Sequence, residues 1–279
     1  MSARQRIIAV FVLVIGLVIS GCGLSPALPP TPTMEPLAPT PAPSVTQVSV
    51  STDMVTPPPT PISFVTEVPV SLVLEGTYNI KGIAPDGKAY SSKLTITLNS
   101  DYSGSPNKQA VYHLAWDNGS TGAGILIKDA RATSFLATSF GSPACGAVFY
   151  SIDNGTLTLT GTWLKPGTKG IGSEIASPTI LRSTLEGDYD VVGYYANGSE
   201  YKGTLSITRQ GMENVWQLAW NVGQPYDGIG ISLNKSLFAA AFGGDGCGVS
   251  VFEVKNDGSL HAIWAVWAGN QVGEETATK

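Results

Sequence analysis

Two stretches of this chain repeat each other, landmark by landmark and in the same order. Leu74-Glu75-Gly76-Thr77-Tyr78 returns as Leu185-Glu186-Gly187-Asp188-Tyr189, and Asp86-Gly87 with Tyr90 returns as Asn197-Gly198 with Tyr201. Leu94-Thr95-Ile96-Thr97 and Leu114-Ala115-Trp116 return as Leu205-Ser206-Ile207-Thr208 and Leu218-Ala219-Trp220. Phe140 and Cys145-Gly146 return as Phe242 and Cys247-Gly248. A fixed order of shared landmarks marks a tandem duplication, with copies at 72–183 and 184–279. Any fold for this chain must be buildable twice.

Each copy reads as strands. Leu94, Ile96 and Leu98 alternate with Thr95 and Thr97; Trp216, Leu218 and Trp220 alternate with Gln217 and Ala219; Leu157 and Leu159 alternate with Thr158 and Thr160. Period-two alternation gives a strand with one buried face. Asp86-Gly87, Asn118-Gly119, Asn154-Gly155, Asn197-Gly198 and Asp257-Gly258 punctuate the runs and supply the positive φ that tight hairpins need. The reading is all-β, with seven or eight strands per copy. The simplest arrangement is two tandem antiparallel meander barrels, each closed so that no edge is exposed. An open sandwich, or one larger barrel shared by both copies, stays open as an alternative.

Four strands break the alternation. Ser134–Ala137, Ala147–Tyr150, Leu237–Phe242 and Val249–Phe252 are apolar on both faces, so both faces must be covered. One face fills a barrel. The other is expected to pack against the sister copy with approximate two-fold symmetry.

Residues 1–71 are of another kind. Arg4 and Arg6 precede an uncharged apolar run, Ile7 to Ile19, closed by Ser20-Gly21 and then Cys22. A charged start, a short apolar core and small residues at the cut form a secretory signal. This segment resembles a bacterial lipoprotein signal peptide ending in a lipobox. The resemblance implies cleavage before Cys22, a diacylglycerol on its sulfur and often a third, palmitate-type chain on its amino group. Two or three chains make a firm membrane anchor. From 22 to 71 the chain is rich in Pro, Thr and Ser, with Pro29-Pro30-Thr31-Pro32 and Pro57-Pro58-Pro59-Thr60-Pro61. Proline removes backbone donors and fixes φ, so this stretch reads as a disordered, extended tether. The expected location is a bacterial cell membrane or outer surface, lipid-anchored and extracytoplasmic.

The formal net charge is −5, and loss of Arg4 and Arg6 with the leader makes the mature chain more acidic still. An acidic surface repels phosphate backbones, so nucleic acid is not an expected partner.

Candidate sites are few. Cys145 and Cys247 stand at equivalent places beside the doubly apolar strands. They form either a disulfide, if their Cα atoms come within about 4.4–6.8 Å, or two buried thiols inherited by duplication. His113 and His261 have no companions at metal-ligand spacing, so no metal is expected. Glu75/Glu186 and Glu174/Glu275 recur near strand or copy ends and read as solvated rim positions. No catalytic constellation and no cofactor motif occurs, so the chain reads as a non-enzyme. The aromatics Trp116, Trp163, Trp220, Trp264 and Trp267 either line a pocket for a ring-shaped ligand or fill the core. Trp264 and Trp267 cannot both face inward on a regular strand, so a bulge or an exposed Trp is expected there.

Gly-x-Tyr, then Asp/Asn-Gly with Tyr, then a Trp strand and Gly-Trp-type endings are similar to small exported bacterial β-domains, some of them labelled fibronectin-binding. In strand number and turn spacing each copy also resembles avidin and the calycins, in architecture only. The expected function is display of a non-catalytic binding or adhesion module toward an extracellular protein or glycan. The alternatives are a small-ligand carrier using an aromatic pocket and a structural envelope lipoprotein.

Overall fold

Sixteen strands carry the fold, eight from each repeat. The first repeat supplies β1 (Gly76–Ile83), β2 (Ala89–Leu98), β3 (Val111–Trp116), β4 (Thr121–Lys128), β5 (Ser134–Gly141), β6 (Gly146–Ile152), β7 (Leu159–Leu164) and β8 (Gly172–Pro178). The second supplies β9 (Gly187–Tyr194), β10 (Glu200–Arg209), β11 (Val215–Asn221), β12 (Pro225–Asn234), β13 (Leu237–Phe242), β14 (Cys247–Val254), β15 (Leu260–Val266) and β16 (Gly273–Thr278). The computed structural model describes residues 74–102, 109–129, 133–211, 214–267 and 269–279. The leader 1–21, Cys22 and the linker to residue 71 lie outside the described residues.

The strands close into two eight-stranded antiparallel barrels, as expected. The barrels, however, do not follow the repeat boundaries. Barrel one has the order β1-β16-β15-β14-β5-β4-β3-β2, and barrel two β10-β11-β12-β13-β6-β7-β8-β9. Each therefore takes five strands from one repeat and three from the other. Interchanging the repeats maps one strand order onto the other. The chain leaves barrel one after β5, enters barrel two at β6, and returns between β13 and β14. Pairing across the exchange is regular, with Phe140 opposite Gly248 and Phe242 opposite Gly146.

The two crossovers touch. A Cβ on Gly141, whose φ is +117°, would lie 2.1 Å from the carbonyl oxygen of Gly246. Only glycine fits there. A disulfide joins Cys145 to Cys247 at the same point, with Cα atoms 5.5 Å apart.

Three apolar clusters result. Tyr78, Leu94, Ile96, Leu114, Leu136 and Phe252 fill barrel one. Tyr150, Tyr189, Leu205, Ile207, Leu218 and Phe238 fill barrel two. The third cluster lies between the barrels and contains Ala137, Ala147, Phe149, Ala239, Ala241, Val249 and Val251 from the doubly apolar strands. Their outward faces pack against the sister barrel, which is why they carry no polar alternation.

The Asx-Gly pairs form the hairpins expected of them, with Gly87, Gly119, Gly198 and Gly258 at φ 81°, 87°, 83° and 82°. Asn154-Gly155 behaves differently. Asp153 Oδ1 accepts the N–H groups of Gly155 (2.9 Å) and Thr156 (2.8 Å), and Leu157 takes the left-handed conformation at φ 57°. Leu157 is thus a turn residue, and β7 starts at Leu159 rather than extending the alternation back to Leu157. One end of each barrel is stopped by the segment that precedes a repeat's first strand, β1 in barrel one and β9 in barrel two. Tyr78 Oη donates to the Leu74 carbonyl at 2.9 Å and Tyr189 Oη to the Leu185 carbonyl at 2.8 Å. Burial pushes the Tyr189 hydroxyl up to about 12.

Candidate functional site: two aromatic clefts over buried glutamates

The other end of each barrel carries a cleft. In barrel one the β1–β2 and β3–β4 turns border a cleft of about 590 Å³, lined by Tyr90, Trp116, Phe140, Trp264 and Glu275 among others. In barrel two the corresponding cleft is about 210 Å³, lined by Tyr150, Trp163, Glu174, Tyr201, Trp220 and Phe242 among others. Because the barrels exchange strands, each cleft is built by both repeats. Tyr90, Trp116 and Phe140 come from the first, and Trp264 and Glu275 from the second.

The aromatic walls form by a local rule. Each large ring lies across a glycine of the neighbouring strand. A Cβ on Gly172 would sit 2.1 Å from the Trp163 ring, and one on Gly273 would sit 2.3 Å from the Trp264 ring. The missing side chain lets the ring lie flat over the strand. In the first cleft Trp116–Phe140, Phe140–Trp264 and Tyr90–Trp264 centroids are 5.8, 6.1 and 6.3 Å apart. In the second, Tyr195 and Tyr226 close over the mouth, 4.9 Å from Tyr201 and 5.7 Å from Phe242.

Glu174 and Glu275 sit beneath these rings at 4% and 8% exposure. This corrects the expectation of solvated rim carboxylates; Glu75, by contrast, is not buried and accepts the Leu98 N–H at 3.0 Å. Inward residues on β8 and β16 are Gly172-Glu174-Ala176 and Gly273-Glu275-Ala277. The acid lies on the same face as buried alanines, and that in-phase pattern was the available sequence signal.

The two acids are held differently. Glu174 accepts hydrogen bonds from Tyr150 Oη, from Tyr201 Oη at 2.9 Å and from Trp220 Nε1 at 3.2 Å. Glu275 accepts one, from Tyr90 Oη at 2.6 Å, and Trp264 Nε1 donates to that same hydroxyl at 3.0 Å. Burial penalises the charged form and pushes both carboxyls above the ordinary range. The donors to Glu174 and the single donor to Glu275 pull the other way. Burial, reinforced by the glutamates, raises the hydroxyls of Tyr90, Tyr150 and Tyr201 as well.

This gives a pH prediction. With its folded pKa raised, Glu174 holds its proton to higher pH in the folded state than in the unfolded chain. The linked stability is fully present below the unfolded value, about 4.3, and is lost as pH rises through the folded value. Whatever the fixed cost of Glu174→Gln, urea titrations across that range should show the variant gaining on the parent as pH rises. A difference that stays flat with pH would mean that Glu174 ionises normally.

Trp116, Trp163, Trp220 and Trp264 all lie in the clefts. Trp267 does not. It occupies the turn after β15, packs against the cluster between the barrels and accepts a hydrogen bond from Gln210 Nε2 at 3.1 Å. The strand ends at Val266, so no bulge is needed to reconcile it with Trp264. His113 and His261 are both exposed, and among the described residues no group of acids, histidines and cysteines is arranged to hold a metal. A wider groove of about 910 Å³ runs along the outside of barrel one past Phe135, Leu233, Val251 and Ile263.

No protein family, curated protein or solved structure matches the chain.

Proposed function

We propose that this chain is a lipid-anchored, extracytoplasmic binding protein whose recognition sites are the aromatic clefts. It binds without transforming what it binds. The observation that carries this reading is the cleft end of each barrel, where edge-to-face and tilted aromatic rings surround one buried carboxylate. Ligand sites are concave, mostly apolar, and oriented by a few placed polar groups. Flat aromatic walls suit ring-shaped molecules, including the terminal residue of a glycan, through stacking. Cys22, with its acyl chains, fixes the protein to the membrane, and the Pro/Thr-rich segment holds the barrels away from it. On this reading the displayed module and the small-ligand carrier are one activity.

Titration of the full-length protein in detergent with ring-shaped sugars and aromatic compounds, followed by tryptophan fluorescence, tests the proposal. Saturable quenching is expected. The combined Trp116→Ala and Trp264→Ala variant should weaken it about tenfold or more, because both stacking partners are lost. No saturable response from any ring compound would defeat the proposal.

A further inference from the structure

The two clefts occupy equivalent positions but have diverged. The tyrosines that cover the second cleft, Tyr195 and Tyr226, correspond to Ala84 and Ser120 in the first. That replacement accounts for about 590 Å³ in one against about 210 Å³ in the other. Lys165, which lies 5.1 Å over the Tyr226 ring, corresponds to Val266. Asn221 corresponds to Asp117. The first cleft is therefore lined by Asp86, Asp117 and Glu275 against one cation, Lys88, which is already paired to Asp86 at 2.5 Å. The second cleft is lined by one acid, Glu174, and one cation, Lys165.

The interior polar groups differ as well. Tyr150, a donor to Glu174, corresponds to Phe252, so Glu275 lacks that donor and its Oε1 has none among the described residues. Val148 corresponds to Ser250, which lines the first cleft. Ser250 is fully buried, and its Oγ has no hydrogen-bond partner among the described residues. Directly opposite it, in the place of Ala240, Thr138 is also fully buried with Oγ1 unpartnered. Buried polar atoms without partners are costly in a native interior; of these two, Ser250 lines the first cleft, and the second cleft has one of its own in Trp163 Nε1.

We propose that the first cleft is the working site and that its ligand is a small protonated amine carried on a flat or ring-shaped apolar body. The ammonium sits against Glu275 Oε1 and the Ser250 hydroxyl, and the ring packs against Trp116, Phe140 and Trp264. An N–H donor supplies what Glu275 lacks, and aromatic faces attract a cation through their quadrupoles. The second cleft, with its carboxylate saturated and its mouth covered, is the structural counterpart. This inference rests on the reading of the clefts as binding sites.

Calorimetric titration of the full-length protein in detergent at neutral pH uses three indoles of similar shape: tryptamine, neutral tryptophol and anionic indole-3-acetate. The expected result is one tryptamine per chain, bound about tenfold or more tighter than tryptophol, with indole-3-acetate weakest. Glu275→Gln should reduce the preference for tryptamine to about twofold or less while tryptophol still binds. Val266→Lys, at an exposed position whose equivalent in barrel two is Lys165, should weaken tryptamine and spare tryptophol. Equal affinity for tryptamine and tryptophol overturns the amine assignment and leaves the cleft reading standing. So does a preference that survives both Glu275→Gln and Val266→Lys. Two tryptamines per chain overturn the division between the clefts. No binding by any of the three, with the Trp116 and Trp264 indole N–H resonances unmoved, overturns this inference and the cleft reading together.

Discussion

Removing the Cys145–Cys247 disulfide lowers the unfolding free energy by about 4 kcal/mol. The bridge spans 102 residues. In the chain-entropy view, a loop of that size stabilises by restricting the unfolded ensemble, and about 100 residues correspond to about 4.7 kcal/mol. The location adds a second reason. The bridge ties together the two crossovers where the chain changes barrels, so it holds both exchanged segments at once. Both cysteines are buried, so reductant reaches the sulfurs only after local opening, and reduction should be slow under native conditions. Denaturant titration of the paired Cys145→Ala and Cys247→Ala variant against the oxidised parent measures the effect. A loss below about 1 kcal/mol would mean that the unfolded chain already keeps these crossovers together.

The duplication, the barrels and most hairpins were legible in the sequence because each is set locally. Alternation fixes which face is buried, and Asx-Gly fixes the turn. The apolar outward faces of Ala137, Phe149, Ala239 and Val251 likewise announced that the barrels pack on one another. The strand exchange was not legible, and the duplication itself is the reason. β14 repeats β6, so β5 meets nearly the same neighbour in either arrangement. Phe140 faces Gly248 in the exchanged barrel and would face the equivalent Gly146 in an unexchanged one. Cross-strand preferences cannot distinguish two partners of like sequence. In the exchanged arrangement Gly141 pairs with Cys247 and passes close to Gly246, contacts between residues more than 100 positions apart that carry no local signature.

For the site, the tryptophans were visible and the acids were misjudged. Proximity to a strand end suggested solvent for Glu174 and Glu275. The phase of each acid with buried Gly and Ala on its own strand outweighs that proximity. Trp267 stands opposite Pro166 in the repeat alignment, so it lacked the recurrence that Trp116, Trp163, Trp220 and Trp264 share. That recurrence was the better guide to which rings belong to the clefts.

Since each cleft draws residues from both repeats, the particular combinations seen here, Trp116 with Trp264 and Trp163 with Trp220, depend on the exchange. Neither repeat alone can complete the barrel seen here. The first would leave β1 and β5 unpaired unless its own β6–β8 took the places of β14–β16, and even then the outward apolar faces of Ile125, Ala137 and Phe149 would meet water. Exposed edges and contiguous apolar surface favour association over a stable monomer. The most direct measurement is therefore to produce residues 72–183 and 184–279 as separate chains and follow them by sedimentation and by amide NMR, singly and mixed. Strand exchange predicts that neither chain gives a dispersed monomeric barrel spectrum, and that mixing yields a one-to-one complex with the tryptophan environment of the intact protein. A cooperative, monomeric barrel formed by either repeat alone would contradict it.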